Sequence, residues 1–195
     1  MKIGVDLDGV IFDSEKLYRV CSELYDVIDL KKNTIVNSRE LRFQKRYAWS
    51  EEETKGFIDK YHLYIVNNAN FMPGAKEVLK MLKNEGHELI IITARGSQKQ
   101  ELIEITEDIF ECNDLEIFNK CYWGVEDKAK ICKYENIDLM IDDYIENCKA
   151  IANEQIKTIY FQDAPSFIVE DSEYIKTLYN WGGIYRYIRG ACATK

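Results

Sequence analysis

Four short segments of this chain carry side chains whose types and spacing could do chemistry together. Asp6-Leu7-Asp8-Gly9-Val10 sets two acids one residue apart, beside a glycine. Ile92-Thr93-Ala94-Arg95 sets a hydroxyl near a guanidinium. Lys128 opens a helical stretch, and Asp142-Asp143 ends an apolar run. Oxygen donors of this kind suit a hard dication. Asp6 and Asp143 each offer a carboxylate oxygen and Asp8 a backbone carbonyl, and Mg²⁺ prefers such ligands while keeping waters that a phosphate can replace. A metal would also offset the repulsion of clustered carboxylates, which otherwise raises a pKa or destabilises the fold. Thr93 offers its hydroxyl and backbone N–H to a phosphoryl oxygen, and Lys128 offers a point charge. Gly9 lets the backbone turn close to a ligand.

These residues are far apart in sequence, so a fold must gather them. The apolar pattern predicts short strands at 3–5, 87–93, 118–122, 137–141 and 158–161. From residue 74 onward the strands alternate with helices, which predicts βαβ crossovers and a parallel sheet covered by helices. The central part of 87–93 is apolar on both faces, as a buried parallel strand requires. Ligands of such sheets bind at the carboxyl ends of the strands, and there Asp6, Thr93 and Asp142-Asp143 stand.

Residues 14–70 break the alternation and read as helical. Leu17, Val20, Cys21, Leu24 and Val27 fall at helical spacing over 14–27, and a further helix is expected over 39–47. Ser50 and Glu53 form a capping box for a helix to about residue 67, with Phe57, Tyr61, Tyr64 and Ile65 on one stripe. Pro73-Gly74 opens a helix that Gly86 stops. Further helices are expected at 97–112, 127–136, 145–154 and 172–188. The expected organisation is a Rossmann-like α/β/α core, 1–13 with 71–195, and a small helical cap of 14–70 inserted after the first strand.

The composition narrows the function classes. Of 195 residues, 46% are hydrophobic and 12% aromatic, which excludes disorder as the dominant state. No apolar run approaches the roughly 20 residues of a membrane span. The net charge of −8 is a poor match for a nucleic-acid polymer. The six cysteines form no CxxC pair, so neither a zinc framework nor a thioredoxin-type site is suggested. An acid within the first six residues argues against a secretory signal. The expectation is therefore a cytoplasmic protein with reduced, mostly buried thiols.

The four segments, in this order, resemble the motifs of the haloacid dehalogenase superfamily of phosphohydrolases over about residues 3–147. Met72-Pro73-Gly74-Ala75, Ile91-Ile92-Thr93-Ala94-Arg95, Lys128-Ala129-Lys130-Ile131-Cys132-Lys133, Ile137-Asp138-Leu139-Met140-Ile141-Asp142-Asp143 and Trp181 look more narrowly like the cytosolic 5′(3′)-deoxyribonucleotidase type. The resemblance implies a haloacid dehalogenase fold and an Mg²⁺-dependent phosphomonoesterase working through an aspartyl-phosphate. Asp6 would be the nucleophile. Asp8 would protonate the leaving oxygen and then activate water. Thr93 and Lys128 would hold the phosphoryl oxygens, and Asp142 would orient Lys128 or a metal water. The implied metal set is Asp6, Asp8 and Asp143, and the implied phosphate site is Asp8, Gly9, Thr93, Ala94, Arg95 and Lys128. Halide-removing relatives lack an acid at the place of Asp8.

Other readings stand beside this one. Asp-x-Asp also occurs in metal-dependent glycosyltransferases and as a solvated turn. A response-regulator receiver would carry its lysine after the acid pair, whereas Lys128 precedes it. His62 and His87 read as surface or packing residues. The substrate expected is a small phosphorylated molecule, a (deoxy)nucleoside monophosphate by the narrower resemblance, for a monomer or homodimer. The alternatives are a phosphatase of another metabolite, such as a sugar phosphate, and a non-catalytic phosphate-binding module. Tyr18, Tyr25, Phe43, Tyr47, Trp49, Phe57, Tyr61 and Tyr64 include candidates for stacking a base, though most must form the cap's own core.

Overall fold

The computed structural model describes all residues except 41, 98, 163–170, 194 and 195, and nothing is described of the side chain at 193. Residues 41 and 98, within the expected helices 39–47 and 97–112, thus lie outside the described residues. The chain divides into two compact units: Met1–Phe12 with Phe71–Lys195, and Asp13–Asn70.

In chain order the elements are β1 (Lys2–Val5), α1 (Ser14–Leu24) continued by a π-helical turn (Tyr25–Asp29), α2 (Phe43–Arg46), α3 (Glu51–Asn68), α4 (Ala75–Asn84), β2 (Glu88–Ile92), α5 (Glu101–Glu111), β3 (Lys120–Tyr122), α6 (Lys128–Glu135), β4 (Leu139–Asp142), α7 (Ile145–Asn153), β5 (Lys157–Phe161), β6 (Ile175–Leu178) and α8 (Trp181–Ala193). All strands are in the first unit, in one parallel sheet of order β3-β2-β1-β4-β5-β6. Ile3, Val5, Leu89, Ile91, Met140 and Ile141 are fully buried, as expected for strands with helices on both faces. Ile90, Ile92 and Met140 pack with Cys132 of α6 and Ile151 of α7. Elsewhere in this unit α4 meets α8, where Leu79, Leu82, Trp181, Ile184 and Ile188 are buried. This is the Rossmann-like α/β/α architecture that the strand–helix alternation predicts.

Register explains the gathering of the polar residues. Val5 pairs with Ile91 on one side and with Ile141 on the other. The residues that follow each of these therefore emerge at one edge of the sheet: Asp6, Ile92-Thr93 and Asp142-Asp143.

Two elements depart from expectation. The stretch 172–188 is no single helix, because Ile175–Leu178 forms the edge strand β6 and the helix begins at Trp181. Its burial alternates along the chain, as in a strand covered on one face. The expected helix over 39–47 shrinks to Phe43–Arg46, since Tyr47 is extended and bridges Ile35.

The helical unit has its own core of Cys21, Tyr25, Phe43, Tyr47, Phe57 and Ile65. Ser50 and Glu53 form the reciprocal capping box that starts α3. Buried Arg46 is held by Glu15 at 2.7 Å and by Ser22 at 3.2 Å. Buried Asp26 accepts from Thr34 and from the Trp49 indole. The stripe read along 14–27 is only half inward: Cys21 is buried, whereas Val20, Leu24 and Val27 face solvent.

Candidate active site

Asp6 follows β1 and is buried; its backbone N–H donates to Ile141 O at 3.0 Å, which ties it to β4. The chain then turns through Leu7-Asp8-Gly9, where Gly9 has φ +75°. A Cβ at Gly9 would also collide with Oδ2 of Asp143. Glycine is therefore required twice, for a left-handed backbone and for the approach of the first acidic loop to the second.

Lys128 is the first residue of α6, a helix capped by Asp127, whose carboxylate accepts from the Lys130 N–H. Its buried ammonium lies 2.7 Å from Asp6 Oδ2 and 2.7 Å from Asp142 Oδ2. Asp142, fully buried, also accepts from the Tyr144 N–H at 2.9 Å and from the Asn147 amide at 3.1 and 3.2 Å. It is thus an anchor for Lys128. Asn147, one turn into α7, joins this network with no signal in the sequence beyond its place after the acid pair.

The electrostatics follow from this crowding. Burial pushes Asp6 up to about 6; Lys128 pulls it down, and Asp142 and Asp8 add to the rise. Burial opposes the charge of Lys128, but Asp6 and Asp142 outweigh it and hold the ammonium well above its ordinary range. Asp143 is raised well above an ordinary carboxyl by burial and then by Asp142 and Asp6. Asp6, Asp142 and Asp143 each offer an oxygen within 4.8 Å of the others, a group that could hold a metal ion. One ammonium cannot balance three carboxylates, and the donors are all hard oxygens, so the set fits Mg²⁺. Because Asp142 already accepts from Lys128, Tyr144 and Asn147, the carboxylates best placed to share a cation are Asp6 and Asp143.

Thr93 follows β2 and is buried. Its backbone N–H is spent on Tyr122 O at 3.1 Å, within the pairing to β3, and so does not serve a phosphate as the sequence suggested. Its hydroxyl accepts from the Arg95 N–H at 3.2 Å and keeps a proton to donate. Ala94 is exposed beside it. Arg95 points elsewhere than the phosphate role read from sequence. Its guanidinium is fully buried and binds the Asp8 carboxylate through two nitrogens, at 2.6 and 3.1 Å.

Among the described residues, His62 and His87 belong to no metal-type cluster. The six cysteines are free, but Cys112, Cys121 and Cys192 are exposed, so the thiols are half buried and not mostly so. No helix of the described residues is long and apolar enough to cross a membrane.

Comparisons with known proteins bear on the family and the fold. Residues 3–124 match the family model described as haloacid dehalogenase-like hydrolase. A protein of Halalkalibacterium halodurans named "Putative nucleotidase BH1399" is 28% identical over 164 residues, covering 84% of this chain and 80% of that one. Among solved structures, a haloacid dehalogenase-like family hydrolase from Streptococcus pneumoniae aligns at TM-score 0.70 and 15% identity, covering 96% and 97% of the two chains. The crystal structure of a "predicted phosphatase" from Clostridium acetobutylicum aligns at TM-score 0.71 and 16% identity, covering 97% and 98% of the two chains. The matched family model covers more than half of the chain, from β1 through the first acidic loop and the Thr93 segment to β3, and on that ground this chain belongs to the haloacid dehalogenase-like hydrolases.

Proposed function

We propose that this protein is a phosphomonoesterase that transfers the phosphoryl group of a small ester to Asp6 and then to water. The observation that carries the reading is the convergence of Asp6, Asp8, Lys128 and Asp142-Asp143 at one sheet edge, with Lys128 2.7 Å from both Asp6 and Asp142. A carboxylate, an acid, a fixed cation and a dication-binding set are what attack on phosphorus needs and what a mere binding module does not.

In the first step an Asp6 oxygen forms a bond to phosphorus. The ester P–O bond breaks, its electron pair leaves on the alcohol oxygen, and Asp8 supplies the proton. In the second step water attacks phosphorus, Asp8 takes the water proton, and Asp6 departs as a carboxylate. Lys128, held by Asp142, steadies Asp6 and offers charge to the phosphoryl oxygens, to which Thr93 donates through its hydroxyl and Ala94 through its backbone. Mg²⁺ held by Asp6, Asp143 and the Asp8 carbonyl would neutralise phosphoryl charge at the same place.

The substrate class we favour is a (deoxy)nucleoside monophosphate. Its support is the nucleotidase name of the relative that covers most of this chain, together with the late motifs Lys128–Lys133 and Ile137–Asp143. The centre itself selects only phosphate, so selectivity would be supplied by the helical unit. A cytoplasmic setting agrees with the six free cysteines.

Phosphate release from a panel of nucleoside monophosphates, sugar phosphates and 4-nitrophenyl phosphate tests the reading. Turnover should appear with Mg²⁺, vanish with chelator, and vanish in Asp6→Asn, because an amide is a far poorer nucleophile. Turnover that survives both treatments refutes it.

A further inference from the structure

Arg95 is the residue whose surroundings the reaction above does not explain. Nη2 donates to Asp8 Oδ1 at 2.6 Å and Nε to Asp8 Oδ2 at 3.1 Å. Nη1 donates to Thr106 Oγ1 at 2.8 Å, and the Thr106 hydroxyl in turn donates to Leu102 O at 2.7 Å within α5. The guanidinium carbon lies 4.9 Å from the centre of the Phe12 ring. The side chain of Arg95 is 0% exposed and that of Asp8 is 32% exposed. The arginine is therefore fixed within the protein from three sides, and the carboxylate it holds is open to solvent. A guanidinium so placed could reach a phosphate only by abandoning a bidentate partner while itself buried, a costly exchange for a desolvated cation.

We propose that Arg95 is a positioning residue that sets the plane of the Asp8 carboxyl group, with Thr106 and Phe12 setting Arg95. The inference rests on the phosphomonoesterase reading, in which Asp8 hands a proton to the leaving oxygen. A planar fork fixes both the direction and the rotation of a carboxylate, which a lysine cannot do. The two contacts are unequal. Nη2–Oδ1 is 2.6 Å and Nε–Oδ2 is 3.1 Å, and the two nitrogens together hold the carboxyl group in one plane. Held in that plane, the carboxyl group stands in the same place when it gives a proton to the alcohol oxygen and when it receives the proton of water. The family resemblance implied a phosphate role for Arg95; its partner in the structure, Asp8, is 87 residues away in sequence.

The test separates these two roles by leaving group. An alkyl phosphate such as a nucleoside 5′-monophosphate needs a proton on its leaving oxygen, whereas 4-nitrophenyl phosphate scarcely does. kcat/KM on both esters, and inhibition by inorganic phosphate, are measured for wild type, Asp8→Asn, Arg95→Lys, Thr106→Val and the double variant Asp8→Asn/Arg95→Lys. A positioning role predicts a fall of about 10- to 100-fold on the alkyl ester for Arg95→Lys, with at most about threefold on the aryl ester. It also predicts unchanged inhibition by phosphate and a double variant no worse than Asp8→Asn. Thr106→Val, nearly isosteric, should show the same ester dependence at smaller size, and it keeps the test sound if Arg95→Lys proves unstable by thermal melting. Equal losses on the two esters, weaker inhibition by phosphate, or additive losses in the double variant would overturn the proposal. Failure of the underlying reading looks different: Asp6→Asn would then retain turnover whatever Arg95 does.

Discussion

At Asp6 two requirements conflict. In the proposed reaction Asp6 must be charged to attack phosphorus, yet burial beside Asp142 and Asp8 favours the neutral acid. Lys128 is the answer within the chain, bridging Asp6 and Asp142 at 2.7 Å on each side. Gly9 meets a steric version of the same crowding, with φ +75° and no room for a Cβ beside Asp143. Gly9→Ala should therefore destabilise the protein by about 1–3 kcal/mol, from left-handed strain plus displacement of Asp143. The thermal midpoint should fall and the Mg²⁺ concentration for half activity should rise; an unchanged Mg²⁺ response would show that Asp143 is not a ligand. The acids, hydroxyl and lysine gathered at the sheet edge were legible from sequence because they stand, in a fixed order, where strands end or a helix begins. Asn147 and Thr106 were not, since an asparagine or a threonine in a helix is ordinary until its partner is known.

One element-scale joint ties the sheet edge to the helix that bears Lys128. Glu135 ends α6 and accepts from Lys120 at 2.7 Å and from the Tyr122 hydroxyl, both on β3. Lys2 of β1 lies 3.5 Å from its other oxygen. The bonds from Lys120 and Tyr122 hold the Glu135 carboxyl down at about 2, from its ordinary 4.5. A depressed carboxyl stabilises the fold fully above its unfolded value and loses that contribution as pH falls through the folded one. Because Lys120 is largely exposed, solvent screening reduces the contribution to about 1–2 kcal/mol. Urea midpoints should show Glu135→Gln less stable than wild type at pH 6–7, with the gap shrinking as pH falls below about 4.5. A gap independent of pH would mean that packing alone is lost. The alternation of strand and helix was legible for most of the sheet. The edge strand β6 was not, because four residues of alternating burial carry too weak a period to separate from the adjoining helix.

At the scale of the whole molecule the chain is two units with separate cores, and Asp6, Asp8, Thr93, Lys128, Asp142 and Asp143, to which the proposed reaction is given, all belong to the α/β unit. Under the proposed function the choice of substrate falls to the helical unit. Phe43, Tyr47 and Phe57 are buried in its core, whereas Tyr64 is 53% exposed and Tyr18, Trp49 and Tyr61 are partly so. If the substrate is the nucleotide proposed above, replacing these last four one at a time by alanine should, for at least one, raise its KM about tenfold, the loss of one stacked base. kcat/KM on 4-nitrophenyl phosphate should stay within about threefold, since a small aryl ester draws little on residues outside the phosphate centre. If no substitution separates the two substrates, the unit has no part in selection.

The sequence by itself determined which chemistry was possible and where along the chain it sat. Acids, hydroxyl and lysine at strand ends, with an unbroken βα rhythm after residue 74, leave few arrangements open to a parallel sheet. Only the tertiary structure decided what each group does with its neighbours. Register spent the Thr93 amide on Tyr122, burial turned Arg95 toward Asp8, and the approach of the two acidic loops excluded any side chain at Gly9. The reason is physical. Local pattern reports the period and polarity of a segment, whereas hydrogen-bond partners and desolvation depend on atoms that meet only after distant segments pack.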